Sequence, residues 1–214
     1  MRCVFMERII CLVVGYAFGL IESGYLYGKM NGIDIRQHGS GNSGTTNALR
    51  VLGKKAGLVV FIGDVLKTMI PCVAVRILFR DDPPMGYLLT LYTGLGVILG
   101  HNYPFYLKFQ GGKGIAATAG ILTSLDWRLM VICLISFVLV VAVSRYVSLG
   151  SLVVATIFLA WNCVMAGSYG IPEAGLTDYY IVAAAISALA FWRHKANIVR
   201  LAHGTENKLW GNKK

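Results

Sequence analysis

Charge is the scarcest commodity in this sequence. Only 14% of its 214 residues are Asp, Glu, Lys or Arg, against 56% hydrophobic residues and a mean hydropathy of +0.63. A water-soluble domain carries charge on about a quarter of its residues, so this composition argues against one and for a polytopic membrane protein. Proline is sparse, with 5 residues, and no Pro/Ser-rich linker, low-complexity tract or clear internal repeat divides the chain. A single domain over 1–214 is expected. The five cysteines (Cys3, Cys11, Cys72, Cys133 and Cys163) are scattered and form no CxxC pair. Their pattern fits small core residues, not a disulfide framework or a metal site. No small-residue cleavage site follows the first apolar run, so an uncleaved first helix is expected there.

What the sequence does have is long apolar runs. They predict helices at about 8–28, 54–79, 86–106, 128–146, 148–167 and 177–193, each near the ~20 residues a bilayer requires. A shorter segment, Gly114–Leu125, has the length of a tilted or re-entrant half-span packed within protein. Counting it gives about seven crossings, and the charge distribution favours that count. One side then receives Lys29, Arg36, Arg50, Lys54, Lys55, Lys108, Lys113, Arg145, Arg193, Lys195, Arg200, Lys208, Lys213 and Lys214. The other side holds Arg2, Arg8, Arg76, Arg80 and Arg128 among Asp81, Asp82, Asp126, Glu173 and Asp178. The positive-inside rule places the first side, with the C-terminus, in the cytoplasm and the N-terminus outside. The net charge of +10 is then a basic face beside anionic lipid, with no nucleic-acid partner implied.

Four polar segments fall on that cytoplasmic side. In Gly39–Arg50, three glycines alternate with Ser40, Asn42 and Ser43, and Asn47 and Arg50 follow. Such a loop can turn backbone N–H groups inward around an anion, with a guanidinium fork at its end; a flexible linker is the bland alternative. The second segment holds His101 and then Gly111-Gly112-Lys113-Gly114 at the start of the short apolar run. Free N–H groups and a lysine there suit a phosphate. Leu107 stands where a Walker P-loop needs glycine, so nucleotide hydrolysis loses its support. The third, Ser144–Ser151, carries Arg145 and Ser148, and Arg145 alone would more commonly snorkel to the interface. In the fourth, His194, Asn197 and Leu201 share one face of a predicted basic helix. Inside the spans, Asp64 and Lys67 are three apart and read as a structural ion pair. Glu22, placed in the first helix, has no evident partner beyond Lys29 or the site itself.

Together these segments resemble the bacterial acyl-phosphate:glycerol-3-phosphate acyltransferases, the PlsY family. The matching stretches are Ser40–Arg50, Gly100–Pro104 with Phe109–Gly114, Arg145–Leu149, and His194–Leu201. Departures are Thr45 for Ala, Gln110 for Lys, Lys195 for Arg, and Glu22 where Pro is frequent. The resemblance implies an all-α, seven-helix enzyme of the bacterial cytoplasmic membrane, its site facing the cytoplasm. It would move a fatty acyl group from acyl-phosphate to the 1-hydroxyl of glycerol 3-phosphate, yielding lysophosphatidic acid and inorganic phosphate, the first step of phospholipid synthesis. It further implies that Ser40, Arg50, Lys113, Ser148, His194 and Asn197 bind the two phosphates. Asn42, Asn47, Gly111, Gly112 and Arg145 complete the candidate phosphate-binding set, and Lys113, Arg50 and His101 are the candidate catalytic residues.

The residues are consistent with that chemistry. None of the four histidines has an Asp five positions on, and there is no GxSxG elbow and no Cys beside a His. A catalyst without a strong base needs an activated donor, and an acyl phosphate is one. The hydroxyl proton could go to a phosphate oxygen or to His101. No cofactor or metal is expected, and the acyl chain is expected between helices, open to the bilayer. Functional coupling to the enzyme that makes the acyl-phosphate is a further expectation. The competing readings are a transporter or channel for an organic phosphate and a non-catalytic lipid-binding scaffold.

Overall fold

The computed structural model describes residues 4–210; Arg2, Cys3, Lys213 and Lys214 lie outside them. The described residues form ten α-helices and no strand. In order they are α1 (Val4–Gly19), α2 (Ser23–Met30), α3 (Thr45–Leu52), α4 (Lys54–Leu78), α5 (Pro83–Asn102), α6 (Ile115–Leu125), α7 (Trp127–Ser144), α8 (Val147–Met165), α9 (Glu173–Arg193) and α10 (Lys195–Ala202). Five stretches are long and apolar enough to cross a membrane: the first, counted across α1 and α2, then α4, α7, α8 and α9. α6 is the shorter apolar helix.

α5 sits at the centre, packed by α1, α4, α6 and α9, and 13 of its 20 residues are buried. α7, on the periphery, buries only Leu129, Cys133 and Val141 and exposes Ile132, Leu139 and Val143. An apolar outer surface of this kind belongs against lipid tails. With no water to drive helices together in lipid, close packing must do it, and small residues allow that. Gly15 and Gly19 of α1, and Gly96 and Gly100 of α5, sit so close to the other helix that a Cβ on any of them would collide with its backbone.

The first predicted helix is not continuous. It breaks at Leu20–Glu22, and Glu22 caps α2 instead of lying within a helix. The break strands backbone carbonyls, which inside a bilayer must find donors. Lys67 Nζ donates to Ile21 O at 2.7 Å, and Tyr106 Oη donates to Leu20 O at 2.6 Å. The Gly-rich segment is likewise only partly a loop, because Thr45–Leu52 is helical. Cys11, Cys72 and Cys133 are buried as expected, whereas Cys163 is exposed.

Candidate active site

Three loops and a turn bring the polar segments to one cavity of about 780 Å³. First-turn residues of four helices line it: Thr45 of α3, Ile115 of α6, Ser148 of α8 and Asn197 of α10. Each helix start offers N–H groups without intrahelical partners and the positive end of a dipole. Arg50, Lys113, Arg193 and Arg200 add full charges to the same walls. Four helix starts and four cations make the polar end a strongly anion-attracting space.

Beyond the polar end the cavity continues between α6, α7 and α8, lined by Leu122, Met130, Cys133, Leu134, Phe137 and Val138. Leu134 and Val138 are also on the outer surface of the bundle. The trench is therefore open sideways to the space lipid tails would fill.

Of the residues singled out in the sequence, Ser40, Asn42, Asn47, Arg50, His101, Gly111, Lys113, Ser148, His194 and Asn197 all line this cavity. Two do not. Gly112 faces away, its carbonyl taken by Arg193 at 2.8 and 3.0 Å and its Cα packed under the His101 ring. Arg145 is exposed at the α7–α8 turn, in a left-handed conformation (φ 65°).

The family follows from comparison with known proteins. The glycerol-3-phosphate acyltransferase family pattern matches residues 9–204. The chain belongs to this acyltransferase family. A glycerol-3-phosphate acyltransferase of Clostridioides difficile (strain 630) is 42% identical over 214 aligned residues, covering 96% of this chain and 97% of its own. One of Halalkalibacterium halodurans is 40% identical over 205 residues, covering 95% and 96%. A crystal structure of PlsY, described as an integral membrane glycerol 3-phosphate acyltransferase in its glycerol 3-phosphate form, superposes with a TM-score of 0.83 at 33% identity, over 95% of this chain and 96% of that one. A second, in a lysophosphatidic acid form, gives 0.78 at 32% identity, over 94% of each chain.

Within this acyltransferase the side chains are held by one another. Lys113 Nζ donates to Asn197 Oδ1 at 2.5 Å, and burial, more than its cationic neighbours, pushes its amine down to about 8. His194 Nδ1 lies 2.7 Å from Ala190 O, which fixes the proton on that nitrogen and leaves Nε2 with a lone pair. Burial first, and Lys113 second, depress the imidazole to about 4, so it is neutral at pH 7. The Asn47 amide is fully engaged, accepting from Ser40 N–H at 2.8 Å and donating to Ile35 O and His38 O. It shapes the Ser40 loop from within. Asn42 Oδ1 accepts from Gly44 N–H at 2.8 Å, setting the entry to α3. Thr45 Oγ1 lines the cavity, buried, with no hydrogen-bond partner of its own.

Sequence reasoning assigned no role to Glu206 or Arg193. Glu206 is 7% exposed and accepts from Ser148 Oγ (3.0 Å), Asn197 Nδ2 (2.7 Å) and Arg200 Nε (2.7 Å). It is the carboxylate that ties α8 to α10. Arg193 donates to the carbonyls of Gly111 and Gly112 and so holds the Lys113 loop onto α9. The signal available was weak: Arg193 stands at a membrane boundary, where snorkelling is the ordinary explanation, and Glu206 stands in the polar tail after the last helix.

Proposed function

We propose that this acyltransferase takes its acyl group from acyl-phosphate and delivers it to the 1-hydroxyl of glycerol 3-phosphate, releasing lysophosphatidic acid and inorganic phosphate. The observation that carries the reading is the form of the cavity. A basic end walled by four helix starts runs without interruption into an apolar trench open to the side. Such a shape suits a donor with an anionic head and an alkyl tail, next to a small anionic acceptor. The related structures, described in glycerol 3-phosphate and lysophosphatidic acid forms, support the same acceptor and product here.

In this reading Ser40, Arg50 and Lys113 hold the two phosphates. The free lone pair on His194 Nε2 accepts from a hydroxyl of the acceptor, and Ser148, whose Oγ donates to Glu206, sets the start of α8 at the site. Asn197 orients Lys113, and Asn47, Gly111 and Gly112 shape the loops. Catalysis is positioning plus a preorganised positive field, which lowers the barrier as negative charge builds on the attacked carbonyl and the departing phosphate. Attack by the 1-hydroxyl forms the ester bond, the carbonyl–phosphate bond breaks, and the proton leaves on the phosphate. His101 is a poor recipient, since Nδ1 lies 2.8 Å from the Lys67 ammonium and the Nε2 end abuts Gly112. The site would face the cytoplasm of a bacterial cell, with the N-terminus outside, where the acyl-phosphate-producing enzyme could hand over its product.

Purified protein in lipid, given acyl-phosphate and glycerol 3-phosphate, should release phosphate and lysophosphatidic acid in equal amounts. Equal turnover with acyl-CoA as donor would refute the donor assignment.

A further inference from the structure

The proposed chemistry leaves one buried cluster without a task. Glu22, Ser43, Asp64, Lys67 and His101 meet behind the inner wall of the cavity, and none is more than 4% exposed. They come from four places: the α1–α2 break, the Ser40–Gly44 loop, α4, and the last turn of α5. Asp64 and His101 reach the cavity wall, whereas Glu22 does not.

The two oxygens of Glu22 serve different partners. Oε2 accepts from Ser43 Oγ at 2.7 Å, inside the loop that carries Ser40 and Asn42. Oε1 lies at ion-pair distance, 3.0 Å, from His101 Nδ1. The His101 ring packs against Gly112 so tightly that any Cβ there would strike it, and Gly112 precedes Lys113. One fully buried carboxylate thus reaches both loops that carry the candidate phosphate ligands.

The remaining charges explain how the carboxylate is tolerated. Lys67 Nζ sits 3.0 Å from Asp64 Oδ1 and 2.8 Å from His101 Nδ1, and donates to the stranded carbonyl of Ile21. His101 Nδ1 is also 3.9 Å from Asp64 Oδ1. Glu22 Oε1 makes no aligned hydrogen bond, so its hold is that of a negative charge facing the Lys67–His101 pair, whose nitrogens lie 2.8 Å apart. Its hold on Ser43 is a hydrogen bond that an amide oxygen could equally accept.

We propose that Glu22 is a positioning residue that fixes the spacing between the Ser40–Gly44 loop and the Gly111–Gly114 loop, and with it the separation of the two phosphate subsites. The inference rests on the site assignment proposed above. Because the two links differ in kind, substitutions separate them. Glu22→Gln keeps the Ser43 link and loses the charge-dependent one, Ser43→Ala does the reverse, and Glu22→Ala loses both.

The test measures kcat and KM for glycerol 3-phosphate, its calorimetric binding, and Tm, for the three single variants and for Glu22→Ala with Ser43→Ala. Glu22→Gln and Ser43→Ala should each raise KM, weaken binding and lower kcat, because the spacing of the subsites aligns donor and acceptor, while Tm stays close to wild type. Misplacement of a binding group predicts about a tenfold effect for Glu22→Ala. Adding Ser43→Ala to Glu22→Ala should cost nothing further, because the link is already gone. Independent, multiplying effects of those two substitutions, or losses that only follow a falling Tm, would overturn the proposal. If Glu22 variants fail to fold, Ser43→Ala reads the same link from the loop, and an unchanged KM there is equally decisive. Wild-type protein that binds glycerol 3-phosphate without acyl transfer would sink the functional reading, while the binding comparison would still judge Glu22.

Discussion

Lys113 is where charge, burial and position meet most closely. Its amine is pushed down to about 8, chiefly by burial, and only the protonated form can bind phosphate. The proton is present below that value and lost above it, so kcat/KM should be flat near neutrality and fall as pH rises through about 8. Lys113→Arg, if active, should remove that alkaline limb from the pH–rate profile, because a guanidinium stays charged. Lys113→Ala and Arg50→Ala should each lower kcat/KM by about 100-fold or more, as removal of a charge-stabilising group does elsewhere. Near-wild-type turnover by either purified variant would refute its assignment. Glu206 carries a different expectation, because it contacts other side chains instead of reacting atoms. Glu206→Gln cannot match a carboxylate that accepts from three donors, and loss of such a charged hydrogen-bond centre should destabilise the fold by about 2 kcal/mol. A drop in Tm together with a raised KM would express this; unchanged values of both would contradict it.

At the scale of elements, the α1–α5 seam is the most sensitive contact. A side chain at Gly96 would drive into the carbonyl of Leu12, so Gly96→Val should cost about 1–3 kcal/mol as overpacking does. The readout is a lowered Tm in detergent, against little change for a substitution at lipid-facing Val143. Elements of this kind were unevenly legible in the sequence. α4, α7, α8 and α9 were visible because each is an apolar run of bilayer length bounded by polar residues. The break at Leu20–Glu22 was hidden, because the groups that satisfy its carbonyls, Lys67 and Tyr106, lie tens of residues away. α3 was masked by the glycines before it, though Thr45–Leu52 contains neither Gly nor Pro. The candidate site followed the same division. Hydroxyl, amide and cationic side chains announced its four segments, while Glu22 and Glu206 gained meaning only from partners the fold supplies.

For the whole molecule, the decisive property is one cavity shared by two kinds of surface. The trench-lining residues of α7 from Met130 to Val138 span about 12 Å of helix, with Met130 the member farthest along α7 from Ser148. Met130→Trp should therefore shorten the trench and reduce turnover of long acyl donors more than short ones. A uniform loss across donor lengths would contradict this use of the trench. The seating of α5 also bears on how the protein is made. A helix that touches protein on nearly every side has no need to be greasy, and among the described residues α5 is the one long helix not apolar enough to count as a membrane span by itself. Insertion machinery sorts segments by their partition into lipid, so α5 offered alone should enter a bilayer less readily than the uniformly apolar α7. We predict that α1 through α4 must already be in place to receive it. A glycosylation-reporter fusion carrying α5 with and without the preceding helices would show this as a dependence of insertion on upstream sequence.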